Sequence, residues 1–281
     1  MIKFGPSGNS LSFTLEGHKK TEEAARWVKD RGLDAFEYSF GRGVNMGEEK
    51  ALIIGEAFRE ADVEISVHAP YFINFASTEA EKASNSFGYV LDSAAALKLM
   101  GGKRVVFHPA AQGKQTRESA VNLTLDRIKT LCDYIYANGC EDMLFCPETM
   151  GKLGQIGTIE EVALFCKVDK VFIPTVDFGH VNAREQGSLK TEEDYGARLD
   201  YLISELGFER MKHFHIHFSK IQYSDKGEVR HLTFEDDKYG PEFPPLAAAL
   251  KKRNLEPVVI CESAGTQAED AMEMKRMYYS V

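Results

Sequence analysis

The sequence predicts an α/β protein that folds as a single (β/α)8 TIM barrel over residues 1–281. Three observations predict this fold. Short apolar, β-branched segments alternate with helical segments along the whole chain, eight such strand segments can be counted, and no linker or low-complexity segment interrupts them. Alternating strands and helices imply parallel pairing, and about 250 residues is typical of a barrel built from eight such units.

The predicted strands are recognised by their apolar and β-branched residues. They cover residues 2–5, 35–40, 64–68, 104–108, 143–148, 171–177, 211–217 and 257–262. The segments between them have helical periodicity, as in TEEAARWVKDRG and TIEEVALFCK, where a Thr cap precedes an acidic first turn. Several end at Gly or Asn, which is typical of helix C-termini.

Composition and charge limit the class of protein. With 43% hydrophobic and 27% charged residues the chain resembles an ordinary globular domain. It lacks an apolar run of about 18 residues, so no membrane association is expected, and its start, MIKFGPSG, lacks the features of a secretory signal. The five cysteines form no CxxC pair and are interpreted as reduced thiols, so a cytoplasmic location is expected.

The net charge of −9 argues against a general nucleic-acid binder, for which a basic balance is expected. Two considerations weaken this argument. Three divalent cations bound to carboxylates would add about +6 and leave about −3. In addition, a local basic rim can bind phosphate groups on an otherwise acidic protein.

Metal-binding residue types occur where the predicted strands end. In a barrel the chemistry takes place at the C-terminal ends of the strands. The side chains at these ends are His68, His108, Glu148, Asp177, His215 and Glu262, and His180 follows Asp177 by three residues. Taken singly, each has an ordinary structural explanation as a packed histidine or a helix cap. Together they predict a metal centre, because clustered carboxylates are costly to bury without cations.

The number of candidate ligands indicates more than one metal. Glu228 and His231 bring the total to nine, whereas a catalytic zinc typically uses three protein ligands. We therefore expect two to three zinc ions per chain, with manganese or iron as alternatives in one or more sites. Metals about 3.5–4 Å apart, bridged by a carboxylate, are typical of in-line displacement at phosphorus.

The ordered motifs HAPYFIN, VVFHP, PETMGKLGQIG, VDFGH, HIHFSK and VVICES resemble those of the endonuclease IV family, over about residues 35–265. The resemblance implies three sites. His68, His108 and Glu148 would hold one metal; Glu148, Asp177, His215 and Glu262 a second; His180 and His231 a third. His217 stands where the family often has Asn, and for His213 and His217 a structural role is expected. The third site departs from the family's Asp-x-His pattern, because GEVRHL has Glu228 three residues before His231 and Val229 at the Asp position.

The resemblance also implies a reaction and a partner. A hydroxide would attack the phosphorus on the 5′ side of an abasic site in duplex DNA, leaving a 3′-hydroxyl, with Glu148 and Glu262 as the catalytic residues. Tyr71 would contact DNA at the lesion, and Arg42, in GRGVNM, lies in a segment that resembles a DNA-contacting loop of the family. Lys114 and Lys220 are further candidates for a basic rim. We expect a monomer with no membrane partner.

Two other functions remain open at this point. A sugar isomerase or epimerase of the xylose isomerase-like barrels would use one metal, which Glu148, Asp177, His215 and Glu262 could hold, but it would not need the remaining histidines. A barrel that binds metal or nucleic acid without turnover is the non-enzymatic alternative, supported by the altered GEVRHL segment alone. The number of metals per chain distinguishes the three.

Overall fold

Eight parallel strands form the centre of the fold in the computed structural model, which describes residues 1–281. These are β1 (Lys3–Pro6), β2 (Ala35–Ser39), β3 (Glu64–His68), β4 (Arg104–Phe107), β6 (Leu144–Pro147), β8 (Thr175–Asp177), β9 (His215–Phe218) and β12 (Val258–Cys261). Four short strands lie outside this set: β5 (Ala110–Ala111) pairs with β7 (Gln155–Ile156), and β10 (Ile221–Ser224) forms a hairpin with β11 (Gly227–His231).

The eight strands follow one another around the barrel in two ladders. One sheet has the order β1-β12-β9-β8 and the other β2-β3-β4-β6. Their edges meet at isolated parallel bridges, Ser7 to Glu37 at one seam and Phe145 to Phe172 and Glu148 to Thr175 at the other. The predicted TIM barrel is confirmed, and all parallel strands direct their carboxyl ends to one face.

Helices connect and cover the strands. They are α1 (Leu11–Leu15), α2 (Thr21–Asp30), α3 (Glu48–Glu60), α4 (Ala80–Met100), α5 (Arg117–Ala137), α6 (Ile159–Cys166), α7 (Phe178–Arg184), α8 (Glu192–Leu206), α9 (Phe208–Met211), α10 (Phe243–Lys252) and α11 (Gln267–Ser280). Thr158 caps α6 through its side chain, as the sequence predicts, and Thr116 and Thr191 cap α5 and α8 in the same way. The cap expected at Thr21 is not observed, because α2 already begins at Thr21 and Lys20 occupies the N-cap position. None of the helices combines the length and hydropathy needed to cross a membrane.

Two predicted strands begin four residues before the observed ones. The segment 171–177 forms a regular strand only from Thr175, because Pro174 has no N–H for a ladder hydrogen bond. In the segment 211–217, Met211 ends α9 and the strand begins at His215. Both corrections shorten the N-terminal part of a strand and leave its carboxyl-terminal end in place.

The core is a continuous cluster of 66 buried hydrophobic residues between the strands and the surrounding helices. Phenylalanine supplies most of its largest fully buried side chains. At the seam between β1 and β2 the backbones approach closely at Gly5, where a Cβ atom would lie 1.7 Å from the carbonyl oxygen of Ala35. Any larger residue at position 5 would separate the two strands at this seam.

Candidate metal centre

Three groups of metal-ligating side chains lie next to one another at the carboxyl ends of the barrel strands. The groups are His68, His108 and Glu148; Glu148, Asp177, His217 and Glu262; and His180, Glu228 and His231. Within each group the potential ligand atoms lie within 4.8 Å of one another. Glu148 belongs to the first two groups, and Nδ1 of His180 lies 3.4 Å from both Glu148 Oε1 and Asp177 Oδ2, so the three groups form one continuous centre.

Glu148 is fully buried and contacts histidine side chains of this centre through both carboxylate oxygens. Its Oε2 lies 3.1 Å from Nε2 of His68 and 3.3 Å from Nε2 of His108. Its Oε1 lies 3.1 Å from Nδ1 of His217 and 3.4 Å from Nδ1 of His180. The two carboxylate oxygens therefore face different histidine pairs, which is the arrangement of a carboxylate shared by two metals.

Backbone carbonyl groups orient two of these histidines. Nδ1 of His68 lies 2.8 Å from the carbonyl oxygen of Ala69, and Nδ1 of His180 lies 2.9 Å from that of Thr149. A carbonyl can only accept, so each Nδ1 carries a proton, and Nε2 is the nitrogen whose lone pair would bind a cation. For His180 this nitrogen faces Glu228, whose Oε2 is 3.4 Å away. The ring of His180 is thus directed to the third group.

His217, and not His215, belongs to the central group, which corrects the expectation from the sequence. Both side chains point into the barrel because they alternate along β9, but the strand register separates their depths. His217 pairs with Asp177, whereas His215 pairs with Thr175, two residues deeper. This corresponds to about 6.6 Å along a strand, too far for His215 to reach the same cation. His215 instead contacts Glu37, with Nε2 3.0 Å from Oε2.

Glu37 is a fully buried carboxylate that sequence reasoning missed. It lies at the centre of β2, directly below the central group, and is also 2.8 Å from Nε2 of His217. The signal that could have found it is an acidic residue in the middle of the apolar strand AFEYS. Such a residue needs a buried partner, and its inward orientation follows from strand alternation.

The third group depends on the β10–β11 hairpin. Glu228 and His231 both turn toward His180 although they are three residues apart, because the strand register shifts by one residue and leaves Val229 unpaired and exposed. Such a bulge changes the alternation of side chains. Nδ1 of His231 also lies 2.8 Å from the hydroxyl of Ser219, which orients its ring.

The charges of the centre are strongly coupled. Burial favours the neutral form of Glu148, but the surrounding histidines outweigh it and hold the pKa of Glu148 well below its ordinary value. Burial raises the pKa of Asp177 to about 6. Burial lowers the pKa of His180 and of His217, but neighbouring carboxylates outweigh it and raise both pKa values well above that of an ordinary histidine. Protons on these rings balance the buried carboxylates, and metal ions would replace those protons.

The side chains fit divalent cations of the zinc, manganese and iron type. Imidazole nitrogens and carboxylate oxygens are the ligands these ions use. Oδ2 of Asp177 is buried and accepts no hydrogen bond, although Nδ1 of His180 lies 3.4 Å away. Oδ1 caps α7 by accepting from the backbone N–H of His180, 2.7 Å away. The free oxygen belongs to the central group, where a cation would satisfy it.

Three of the four candidate DNA-contacting residues are exposed. Tyr71 is exposed and packs against Phe72 in the loop that follows β3, with ring centroids 4.3 Å apart and the rings tilted by 42°. The backbone N–H of Tyr71 donates to Gly41 O, which joins this loop to that of Arg42. Arg42 and Lys114 are both exposed. These side chains are free to contact a large substrate.

Lys220 does not belong to an exposed basic rim, contrary to expectation. Its side chain is buried, and its Nζ lies 2.9 Å from Oε1 of Glu242 and donates to the carbonyl of Asp236 at 2.7 Å. The lysine therefore fastens the loop before α10 to the end of β9.

Comparisons with known proteins place the chain in one family. The family model of the xylose isomerase-like TIM barrel matches residues 25–278. An uncharacterized protein of Methanocaldococcus jannaschii is 33% identical over 275 residues, which cover 98% of this chain and 96% of that protein. A probable endonuclease 4 of Mycoplasma pneumoniae is 26% identical over 179 residues, covering 62% of this chain and 59% of that protein.

Solved structures share the fold over the whole chain. A D-psicose 3-epimerase in the presence of D-fructose has a TM-score of 0.71 at 14% identity and covers 100% of this chain and 99% of its own. Endonuclease IV from Thermus thermophilus has a TM-score of 0.65 at 18% identity, covering 99% of this chain and 98% of its own. At these identities the similarity concerns the barrel, and the side chains have to indicate the reaction.

Proposed function

This chain belongs to the xylose isomerase-like TIM barrel family, and on that premise we propose that it is a metal-dependent phosphodiesterase that cleaves duplex DNA on the 5′ side of abasic sites. The observation that carries the proposal is the set of three adjacent ligand groups joined through Glu148. Metal clusters of this kind suit displacement at phosphorus, where charge develops on several oxygens at once.

Each group of side chains has a role in this proposal. Cations held there would supply Lewis-acid stabilisation of the charge that develops on a phosphodiester. Glu148 would hold two neighbouring sites at a fixed separation, since its two oxygens face different histidines. Glu262 is the more accessible carboxylate, with 17% of its side chain exposed against 1% for Glu148. Glu262 is therefore the carboxylate that a bound substrate would meet.

Two further observations support DNA as the substrate. The probable endonuclease 4 of Mycoplasma pneumoniae is related over 62% of this chain, which exceeds a likeness of fold alone. Tyr71 and Phe72 are exposed aromatic side chains beside the strand that ends at His68. Aromatic side chains can stack on bases that an abasic gap leaves unsupported.

A sugar epimerase is the second candidate, and one observation favours it. Glu148, Asp177, His217 and Glu262 form a complete four-ligand group by themselves. A single cation in this group would suffice to bind a ketose. The other two groups, which contribute five further side chains besides Glu148, would have no function in that reaction.

The deciding assay uses a labelled duplex with one tetrahydrofuran abasic analogue, because this analogue cannot undergo β-elimination and its cleavage reports hydrolysis. The protein is loaded with zinc or manganese, and an intact duplex of the same sequence is the matched control. We expect a single cut on the 5′ side of the analogue and none in the control. A loaded protein that leaves the analogue uncut and converts D-psicose or D-fructose would establish the epimerase instead.

A further inference from the structure

A buried carboxylate below the metal centre, Glu37, has no role in the ligand groups assigned above to the proposed cations. It is fully buried, and its neighbours are also buried. Oε2 accepts a hydrogen bond from the hydroxyl of Ser66 at 2.8 Å and lies 3.0 Å from Nε2 of His215. Oε1 lies 2.8 Å from Nε2 of His217. Glu37 thus connects the interior of the barrel to the centre at its mouth.

His217 is the only side chain that touches both Glu37 and the metal centre through different ring nitrogens. Its Nδ1 lies 3.1 Å from Glu148 Oε1 and 3.5 Å from Glu262 Oε2, while its Nε2 faces Glu37. A neutral imidazole has one N–H and one lone pair. If Nε2 carries the proton toward Glu37, the lone pair of Nδ1 is directed at the cluster.

Burial leaves these two atoms no other choice of partner. Oε1 of Glu37 and Nε2 of His217 are both inaccessible to water and have no other hydrogen bond. The two atoms lie 2.8 Å apart, although the N–H is not aligned along this contact. A polar group left unpaired in the interior is unfavourable, because it has lost its hydrogen bonds to water, so mutual pairing of these two atoms is favoured.

We propose that Glu37 is a positioning residue that holds His217 in the Nε2–H tautomer, with Nδ1 facing the central metal group. Carboxylates that accept from the distal nitrogen of a ligating histidine fix its orientation and increase its basicity. The inference rests on the metal centre of the proposed function but is independent of the reaction catalysed there.

A competing interpretation is that Glu37, His215 and His217 hold a cation themselves, since their ligand atoms lie within 4.8 Å of one another. Two features disfavour it. His217 would have to bind cations through both nitrogens, which requires loss of both ring protons. All three residues are also fully buried, so a cation would have to pass through the packed interior below the centre.

The test compares metal binding by the wild-type chain and its variants. Each protein is stripped of metal, checked for folding by circular dichroism, and titrated with Zn²⁺ against a competing chelator. We expect Glu37→Ala to bind the same number of ions at saturation as the wild type but with about 10- to 100-fold weaker affinity for one of them. Glu37→Gln should recover part of this loss, because its amide oxygen can still accept from Nε2–H.

Ser66→Ala is the matched control. It removes another partner of the same carboxylate and leaves the contact with His217 intact, so its metal affinity should stay within about threefold of the wild type, far less than the change expected for a distal carboxylate. Equal affinity in the wild type and a folded Glu37→Ala protein would overturn the proposal. Loss of one whole equivalent at saturation in both Glu37→Ala and His215→Ala would establish the competing cation site instead.

Two further measurements distinguish a failure of the proposed role of Glu37 from a failure of the proposed function. A wild-type protein that takes up no divalent metal would overturn both the inference and the proposed function. If Glu37→Ala does not fold, ¹⁵N-imidazole spectra of the zinc-loaded wild type provide the second measurement, with the His217 signals assigned from a His217→Asn spectrum. Protonated Nε2 on His217 supports the proposal, and protonated Nδ1 overturns it.

Discussion

Glu148 is the residue on which the centre depends most, because four histidine rings contact its two oxygens at 3.1–3.4 Å. Its carboxylate is buried, so no water can replace a lost contact. The negative charge of this carboxylate also helps to hold the four histidine rings in proximity. Removing the charge while preserving the shape therefore isolates its electrostatic role.

The variant Glu148→Gln removes the negative charge of this carboxylate and preserves its shape. Cleavage of the abasic duplex should fall by at least about a hundredfold, the scale of losing a major electrostatic element of catalysis. Elemental analysis of the same preparation should show fewer bound metals. Glu161→Gln is the control, because Glu161 is also a paired carboxylate but contacts Arg117, away from the centre. Wild-type turnover by a folded Glu148→Gln protein would refute the bridging role.

How far sequence reasoning reaches at this scale is illustrated by β9. The sequence shows that His215 and His217 share one face, because strand side chains alternate. It does not show which of them is level with Asp177, since that depends on the register between β8 and β9. The family pattern favoured His215, and the register favours His217. His68, by contrast, could be identified without knowing the strand register, because it is the last residue of both the predicted and the observed strand.

At the scale of elements, the β10–β11 hairpin determines whether the third ligand group is complete. In a regular strand Glu228 and His231 would face opposite sides, since they are separated by three residues. The bulge at Val229 brings both to the side of His180. Close approach is possible because Gly151 has no side chain; a Cβ there would lie 2.7 Å from Cβ of Glu228.

Exchanging two residues tests this role of the bulge. In the double variant Glu228→Val, Val229→Glu the carboxylate stands two residues before His231, as in the family pattern. Because residue 229 is exposed and unpaired, this carboxylate should point to solvent, and the protein should bind one metal fewer than the wild type. Elemental analysis after dialysis measures the number.

The matched control for this exchange is Val229→Gln, which adds a polar side chain at the same exposed position and should keep the full number of metals. Full metal binding by the exchanged variant would show that the spacing, and not the bulge, determines ligation. The sequence could not predict the bulge, because one extra residue in a strand leaves no compositional signal. It revealed only the unusual spacing.

At the scale of the whole molecule, the barrel was predictable because the same alternation of strand and helix recurs in every repeat. Alternating strands and helices specify parallel pairing, and parallel pairing brings all strand ends to one face. The helices α1, α7 and α9 and the hairpin were not predicted, since they lie within βα connections that the periodic pattern does not constrain. These irregular segments carry His180, Glu228 and His231. The third ligand group was therefore the least predictable part of the site.

Net charge is the remaining property of the whole molecule, and it affects how DNA would be bound. The formal charge of −9 repels a polyanion, so binding has to rely on a few local cations and on the metal centre. Of the basic residues considered near the mouth, Arg42 and Lys114 are exposed, while Lys220 is engaged by Glu242. Few phosphate contacts imply a weak dependence of affinity on salt.

We therefore expect the logarithm of the binding constant for abasic duplex to fall with the logarithm of salt concentration with a slope of about −2, since each neutralised phosphate contributes about −0.9. Binding is measured with the metal-loaded wild-type protein and an abasic duplex that carries a phosphorothioate on the 5′ side of the lesion, so that cleavage is slow and does not interfere. Arg42→Ala and Lys114→Ala should each reduce the slope by about 1. Lys129→Ala is the control, because Lys129 is an exposed lysine on helix α5 that pairs with Asp126. This variant should leave the slope unchanged. A slope steeper than about −5, or one that neither mouth variant alters, would mean that DNA contacts a different surface of the barrel.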